Sequence, residues 1–215
     1  EHALKTAEDV KSLSPENMQQ FEALEKAPTW KGVSDIVATR DWDLYTQIPD
    51  GTLFGKIRQG EVWRLISPVL LHGTIFHILF NMLWLFILGR QIEERVGKFR
   101  YLLLSLIIGV GSSVMQYLMS GPFFLGYSGI ITGMVGFIWM RQKIAPWEGY
   151  PLQKPVIIFI TVFVLAMLAL EIILMTLQFF HVVEINATIA NTAHIIGALM
   201  GMALARLPFF ERRHA

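Results

Sequence analysis

The stretch "GPFFLGYSGIITGMVGF", Gly121–Phe137, is apolar enough to lie within a lipid bilayer, yet it contains a serine close to two glycines. Ser128 lies where a helix is predicted to begin, with Gly126 and Gly129 around it. The first backbone N–H groups of a helix lack intrahelical partners, and together with the helix dipole they favour negative charge. Gly129 and Gly133 also form the small-xxx-small pattern of close helix contacts. The stretch therefore predicts either a reactive serine or a small packing residue.

The composition of the whole chain indicates an integral membrane protein. Of its 215 residues 53% are hydrophobic and only 16% are charged, and the mean hydropathy is +0.49. A formal net charge of +1 gives no indication of nucleic-acid binding. The absence of cysteine from the sequence excludes disulfides, thiol nucleophiles and thiolate metal sites.

The apolar residues are concentrated in five segments in the second part of the chain. All but the third approach or exceed the roughly 20 residues that cross a hydrocarbon core. We therefore expect an all-α membrane protein, a polytopic bundle with five transmembrane helices. The transmembrane core is expected over 61–208, after a soluble, partly helical segment over 1–60 and before a cytoplasmic tail over 209–215. The five segments are about 74–89, 101–119, 126–140, 155–180 and 187–206.

The basic residues predict the orientation of these segments. Lysine and arginine cluster at one end of the segments, whereas the connections "SGPFFL" and "QFFHVVEINA" at the other end contain neither. By the positive-inside tendency the basic ends are cytoplasmic, so residues 1–72 should lie outside. An apolar helix upstream of Glu1 is the favoured explanation for how they cross the membrane, and a cleaved signal sequence is the alternative. The basic clusters are Arg90, Arg95, Lys98 and Arg100; Arg141, Lys143 and Lys154; and Arg206, Arg212 and Arg213.

Three polar residues are predicted at one depth in the membrane. The first, third and fifth segments run in the same direction, and each is expected to end at an arginine. His77, Ser128 and His194 each lie 12 or 13 residues before that arginine. At 1.5 Å per residue, this places all three roughly 18–20 Å from the cytoplasmic edge. Because a buried polar group costs several kcal/mol without partners, we expect these side chains to be partners of one another.

These residue types permit acyl transfer. A serine becomes a nucleophile when a histidine takes its proton, and the reaction also needs donors for the developing oxyanion. His77 and Asn81 lie four residues apart on one helix face and could supply such donors. Taken singly, Ser128 favours packing, while His194 is as well explained by a buried histidine bonded to a carbonyl. His77 and Asn81 could equally tie helices together. The matched depth favours the catalytic interpretation.

Four short motifs in this order resemble those of the rhomboid intramembrane serine proteases of bacterial type. The resemblance covers about residues 61–207. The motifs are Trp63-Arg64, His77-x-x-x-Asn81, Gly126-Tyr127-Ser128-Gly129 and Ala193-His194-x-x-Gly197-x-x-x-Gly201.

The resemblance implies a role for each of these residues. Ser128 would be the nucleophile and His194 the general base, without a third acid. His77, Asn81, Gly126 and the Ser128 backbone N–H would form the oxyanion hole. Close packing between the serine helix and the last helix would rest on Gly129, Gly197 and Gly201, and Trp63-Arg64 would be structural.

The resemblance also implies a function: a serine endopeptidase that cleaves transmembrane segments of membrane proteins. Its partners would be transmembrane substrates and membrane lipids, and it would need no metal, cofactor or nucleic acid. The implied place is the bacterial inner membrane, with the active site opening to the extracytoplasmic side. The alternative is a catalytically inactive rhomboid-like protein that binds or escorts transmembrane clients.

Two features depart from the family pattern. The resemblance implies that the family's first membrane helix is absent from this chain, so the five segments are expected to correspond to family helices two to six. Many bacterial members carry a tyrosine one turn after the serine, stacked on the histidine, whereas this chain has Thr132 there. His194 should therefore be less firmly oriented.

The sequence lacks the residues that aspartyl and zinc proteases of the membrane require. An aspartyl protease needs two membrane aspartates, but no aspartate follows Asp50, and the H-E-x-x-H motif of a zinc protease is missing. A metal site from His72, His77 and His194 would lack a fourth ligand with suitable spacing. Glu171 is the one acid in segment 155–180, and for it structural pairing or protonation is favoured over a functional role.

Overall fold

The computed structural model describes residues 30, 32–34, 37, 53–180 and 190–212, except for the side chains at 175 and 178. Apart from Trp30, these residues belong to one unit of the chain, Lys31–Ala215. Most of the expected soluble segment over 1–60 lies outside the described residues. The same holds for the connection at 181–189 and for the last three residues of the expected tail.

From residue 53 onward the described residues form α-helices and short 3₁₀ turns, and none of them forms a strand. The longest helices are the fifth to the eighth. The third is of similar length when the helical residues that directly follow it are included. In chain order the helices are α1 Gly55–Arg58, α2 Ser67–Leu70, α3 Ile75–Trp84, α4 Arg90–Val96, α5 Lys98–Ser120, α6 Ser128–Ile144, α7 Lys154–Phe179 and α8 Asn191–Leu204. The 3₁₀ turns are Val62–Leu65, Pro146–Glu148 and Pro208–Phe210.

The first apolar segment continues beyond its predicted end. A π-helical turn over Leu85–Gly89 joins α3 directly to α4, and the chain turns only at Gly97, where φ is 88°. A Cβ at Gly89 would lie 2.6 Å from the Tyr101 hydroxyl oxygen, so the π turn lies against the next helix. The prediction of an end near residue 89 was therefore wrong, because the polar residues that follow remain helical.

Three helices among the described residues are long and apolar enough to cross a membrane. They are Ile75–Val96, Lys98–Ser120 and Lys154–Leu174. The other two predicted spans are shorter, because α6 has 17 residues and α8 has 14. At 1.5 Å per residue, α8 is only about 21 Å long, which is less than the roughly 30 Å of a hydrocarbon core.

The short helix α6 forms the centre of the core. Every residue of its stretch 129–138 is buried, as expected of a helix that is apolar on all sides. Phe137 and Ile138 are fully buried there and pack with apolar residues of α5 and of the α3–α4 unit. The first residue of this central helix is Ser128, so the fold itself places that serine beside the interior.

Glycines allow α6 and α8 to pack backbone against backbone. A Cβ at Gly197 would overlap the carbonyl oxygen of Gly129, and a Cβ at Gly201 would overlap that of Gly133. A methyl group at Gly136 would likewise meet the carbonyl of Ala198. Contacts this close require glycine on at least one of the two helices, which is how membrane helices approach at small-xxx-small patterns.

An ion pair is buried near the far end of α6. Arg141 and Glu148 are 3% and 2% exposed and form a bidentate pair. Arg141 Nη1 also donates to the Ala205 carbonyl at 2.9 Å, and the Arg212 backbone N–H donates to Glu148 at 2.9 Å. Arg141 was predicted to mark the end of its helix, but α6 continues to Ile144. The prediction failed because a carboxylate neutralises this arginine inside the protein.

Candidate active site

Ser128 and His194 meet between α6 and α8. His194 Nε2 lies 2.8 Å from Ser128 Oγ, which is a hydrogen-bond distance, and His194 is only 8% exposed. The two residues are 66 positions apart in sequence, so only the close packing of the two helices brings them together. Two of the three side chains predicted at one depth are therefore direct neighbours.

The start of α6 presents free donors beside the serine. Tyr127 precedes the helix, and its carbonyl accepts hydrogen bonds from the N–H groups of Ile130 and Ile131. By helix geometry, the N–H groups of Ser128 and Gly129 have no carbonyl one turn earlier in the helix. They remain available for an anionic oxygen next to Ser128.

Gly126 separates the serine from the His77 side chain. Its φ is +117°, and a Cβ there would lie 2.7 Å from His77 Cε1 and 3.6 Å from Asn81 Nδ2. The chain can therefore pass these two side chains only as glycine. The Gly126 N–H donates to the Pro68 carbonyl at 3.0 Å, so it is already used as a donor. At this place Gly126 therefore contributes space and does not offer a free N–H.

His72 lies in the same cluster and was not predicted there as a direct partner. Its Nε2 is 2.9 Å from Asn81 Nδ2, and its ring is edge-on to that of His77 at a centroid distance of 5.0 Å. Asn81 is 1% exposed. An asparagine amide has two hydrogens, so the second is free to donate elsewhere.

Gln116 was missed by the sequence analysis. It is fully buried in α5, and its Oε1 accepts the backbone N–H of Ala193 at 2.9 Å, one residue before His194. An available signal was that Gln116 is the only side-chain amide in the apolar segment 101–119. In a membrane such a side chain is expected to find a backbone partner.

The other ring nitrogen of His194 has no partner within the described part of the chain. His194 Nδ1 is buried there without a hydrogen bond. Thr132, at the place where many bacterial members have tyrosine, turns back and donates to the Gly129 carbonyl at 3.0 Å. The imidazole is consequently held mainly by the packing of α8 and by its contact with Ser128.

A narrow cavity of about 40 Å³ reaches this pair of side chains between α3, α6, α7 and α8. Aromatic residues close it on the α7 side. Trp84 stacks on Phe159 with a distance of 6.5 Å between ring centroids, and the ring centroids of Phe80 and Phe163 are also 6.5 Å apart. Among the described residues no cluster of three histidine or carboxylate side chains could hold a metal ion.

In a comparison with protein families, the sequence model of the family described as Rhomboid domain matches residues 59–209, which is most of the chain. The chain belongs to the rhomboid family. It is 32% identical over 152 residues to proteins named rhomboid protease GlpG from Salmonella paratyphi A, Salmonella newport and Salmonella heidelberg. Each alignment covers 71% of this chain and 50% of the relative, so the chain spans about half the length of these curated relatives.

Membership of the rhomboid family confirms the resemblance predicted from the four motifs. All of them, from Trp63 to Gly201, lie within the matched residues. The all-helical bundle with several long apolar helices is also as predicted. This rhomboid is therefore an integral membrane protein.

Proposed function

We propose that this rhomboid is an intramembrane serine endopeptidase that cleaves transmembrane segments of membrane proteins. The observation that carries the proposal is the 2.8 Å contact between Ser128 Oγ and His194 Nε2 at the start of a central helix. The relatives named rhomboid protease support the same reaction class. The contact also disfavours an inactive escort protein, which has no need for a hydroxyl paired with a buried imidazole.

In this mechanism His194 acts first as a base and then as an acid. Nε2 accepts the Ser128 proton while the hydroxyl oxygen attacks the scissile carbonyl. The same proton then passes to the leaving amine, and a water activated by His194 hydrolyses the acyl-enzyme. This sequence needs the tautomer with the proton on Nδ1, and no described acid contacts that atom.

The negative charge of the tetrahedral intermediate would be stabilised beside Gly126. The donors we propose are the Ser128 backbone N–H, the free hydrogen of the Asn81 amide and the His77 ring. The proximity of Asn81 Nδ2 and the His77 ring to Gly126 supports this assignment. Donors already in place cost no reorganisation when the charge develops.

The substrate would enter from the lipid between α3 and α7. An open apolar groove of about 580 Å³ runs along these helices, lined by His77, Phe80 and Phe163 among others. The inner cavity of about 40 Å³ has room for little more than a water, whose share of liquid volume is about 30 Å³. Phe80 and Trp84 would therefore have to separate from Phe163 and Phe159. Small or helix-breaking residues near the cut would ease unwinding of the substrate.

We further propose the orientation and division of the chain. The protein would lie in a bacterial inner membrane with the active site opening to the extracytoplasmic side. Residues 1–60 would be extracytoplasmic, 61–208 would form the catalytic core, and 209–215 would be a cytoplasmic tail. Support comes from the basic residues Arg141 and Lys143 in the last turn of α6, opposite Ser128.

Labelling of the detergent-solubilised protein with a fluorophosphonate tests the proposal. We expect the wild type to be labelled, and Ser128→Ala and His194→Ala to remain unlabelled. Ser113→Ala is a matched control, because Ser113 is a buried serine on a different helix, α5. Equal labelling of all four proteins, or no labelling of any of them, would contradict an active serine and favour the escort alternative.

A further inference from the structure

Helix α7 has little apolar contact with the rest of the protein in its second half. Only 6% of the most apolar stretch of Lys154–Leu174 is buried. The described side chains of α7 that pack against the core come from its first half: Val156, Ile157, Ile160 and Val164. From Thr161 onward, none of the described α7 side chains is buried. Something other than apolar packing must therefore fix the second half of this helix.

The buried side-chain amide of Asn191 connects α8 to the second half of α7. Asn191 is fully buried at the first position of α8, and its Nδ2 donates to the Met167 carbonyl at 2.8 Å and to Glu171 Oε2 at 2.9 Å. Met167 and Glu171 lie four residues apart, one above the other on α7. Both amide hydrogens of one side chain thus bind one face of the neighbouring helix.

The connection is made beside the proposed general base. Asn191 precedes His194 by three residues, so both lie in the first turn of α8. The same turn is held on its other side by Gln116, whose Oε1 accepts the Ala193 N–H. The position of His194 is therefore determined from two sides, by α5 and by α7.

We propose that Glu171 and Asn191 are positioning residues: they form a polar tether that fixes the second half of α7 to the first turn of α8 and so holds His194 against Ser128. This inference rests on the proposed function only for its consequence in catalysis. The aromatic contacts at Phe159 and Phe163 lie in the other half of α7, so the tether and the aromatic contacts hold different halves of this helix.

The tether itself can be measured without any activity. The natural sequence has no cysteine, so cysteines introduced at Leu165 and Leu199, which are 57% and 52% exposed, can carry two spin labels in lipid nanodiscs. We expect Glu171→Leu to broaden the distance distribution between α7 and α8. Leucine is more favourable than glutamate in a membrane helix, so this change does not weaken insertion of α7. Asn191→Ala should broaden the distribution in the same way.

Two further variants separate the hydrogen bond from other effects. Glu171→Gln keeps an oxygen that accepts from Asn191 and should restore the wild-type distribution. Thr176→Val removes a hydroxyl of α7 whose partner among the described residues is the Ile172 carbonyl of its own helix, and it should change nothing. The tether is overturned if Glu171→Leu resembles Thr176→Val, or if Glu171→Gln is as disruptive as Glu171→Leu.

The fluorophosphonate reaction of Ser128 tests the consequence for catalysis. We expect Glu171→Leu to slow labelling by about fivefold, the factor that corresponds to one hydrogen bond of about 1 kcal/mol, and Glu171→Gln to restore it. Broadened distances with unchanged labelling rates would overturn the positioning role. If the variants show the expected distance changes but the wild type is never labelled, the proposed function is refuted and the tether still stands.

Discussion

At the residue scale, the candidate site depends on the absence of a side chain at Gly126. Gly126 has a φ of +117° and lies against the ring of His77, so a side chain there would face both backbone strain and a collision. Gly60 has a φ of +98°, but a Cβ there would meet no atom within 4 Å. The two glycines therefore share a conformational requirement but differ in what a side chain would meet, which at Gly126 is the ring of His77 and the amide of Asn81.

This pair gives a prediction for Gly126→Ala with Gly60→Ala as its control. Both variants should lose about 1–3 kcal/mol of stability from the strained backbone. Gly126→Ala should also lose fluorophosphonate labelling, because the methyl group displaces His77 or moves Ser128 away from it. Thermal unfolding and labelling are measured on the same samples. If both variants label alike, the proposed role of His77 beside Gly126 is wrong.

At the scale of elements, the short helices α6 and α8 determine the distance between the proposed nucleophile Ser128 and the proposed base His194. Their axes can approach because Gly197 and Gly201 lie against the carbonyls of Gly129 and Gly133. The π turn at Leu85–Gly89 has a comparable role on the other side, since it lets Gly89 lie beside Tyr101. Small residues thus allow close helix contacts at both places, and at α6 and α8 they bring Ser128 and His194 together.

We expect Gly197→Ala and Gly201→Ala to be severely destabilising. Each added methyl group overlaps a backbone oxygen that cannot move without shifting a whole helix, so the cost should reach roughly 3 kcal/mol or more, at the upper end for overpacking. The helices should separate and the hydrogen bond between Ser128 and His194 should break. Thermal unfolding in detergent and fluorophosphonate labelling measure the two effects.

Gly55→Ala is the matched control for these changes. Gly55 begins α1, and a Cβ there would meet no atom within 4 Å. Its stability should stay within about 1 kcal/mol of the wild type, since alanine is the better helix former. Wild-type stability and labelling in Gly197→Ala would show that the backbone contact does not hold the site.

At the scale of the whole molecule, a buried ion pair connects the end of α6 to later parts of the chain. Arg141 binds Glu148 and the Ala205 carbonyl after α8, and Glu148 accepts the N–H of Arg212. Arg95 adds a link from α4, because its Nε donates to the Glu148 carbonyl at 3.0 Å. Four separate segments therefore converge on one neutralised pair.

Breaking this pair from one side should destabilise the whole protein. Arg141→Met leaves the Glu148 carboxylate buried without its partner, and we expect a loss of about 3–5 kcal/mol. Glu94→Gln breaks the exposed pair with Arg90, whose side chains are 56% and 67% exposed, and should cost only about 0.3–0.5 kcal/mol. Unfolding measured side by side tests the difference. Equal small losses would show that Arg141 is hydrated and not buried.

The helical membrane fold and the candidate site residues Ser128 and His194 could be predicted from the sequence. Apolar segments of sufficient length require helices, because backbone groups in lipid must be satisfied internally. Ser128, His77 and His194 were placed at one depth by counting residues, and the contact between Ser128 and His194 agrees with that placement. Helical rise is a property of the chain itself, so counting could suggest Ser128 and His194 as partners, although the helices do not end at the arginines from which the count was made.

Only the tertiary structure decided which polar groups are partners. Nothing local indicates that Arg141 meets Glu148, that His72 meets Asn81, or that the Gly126 N–H is used by Pro68. Such choices depend on how helices rotate and approach, which is a property of packing between distant segments and not of periodicity. The sequence by itself determined the helical segments and predicted that a serine and a histidine on two of them would lie at a common depth. The crossing of two glycine-lined helices decided that they touch.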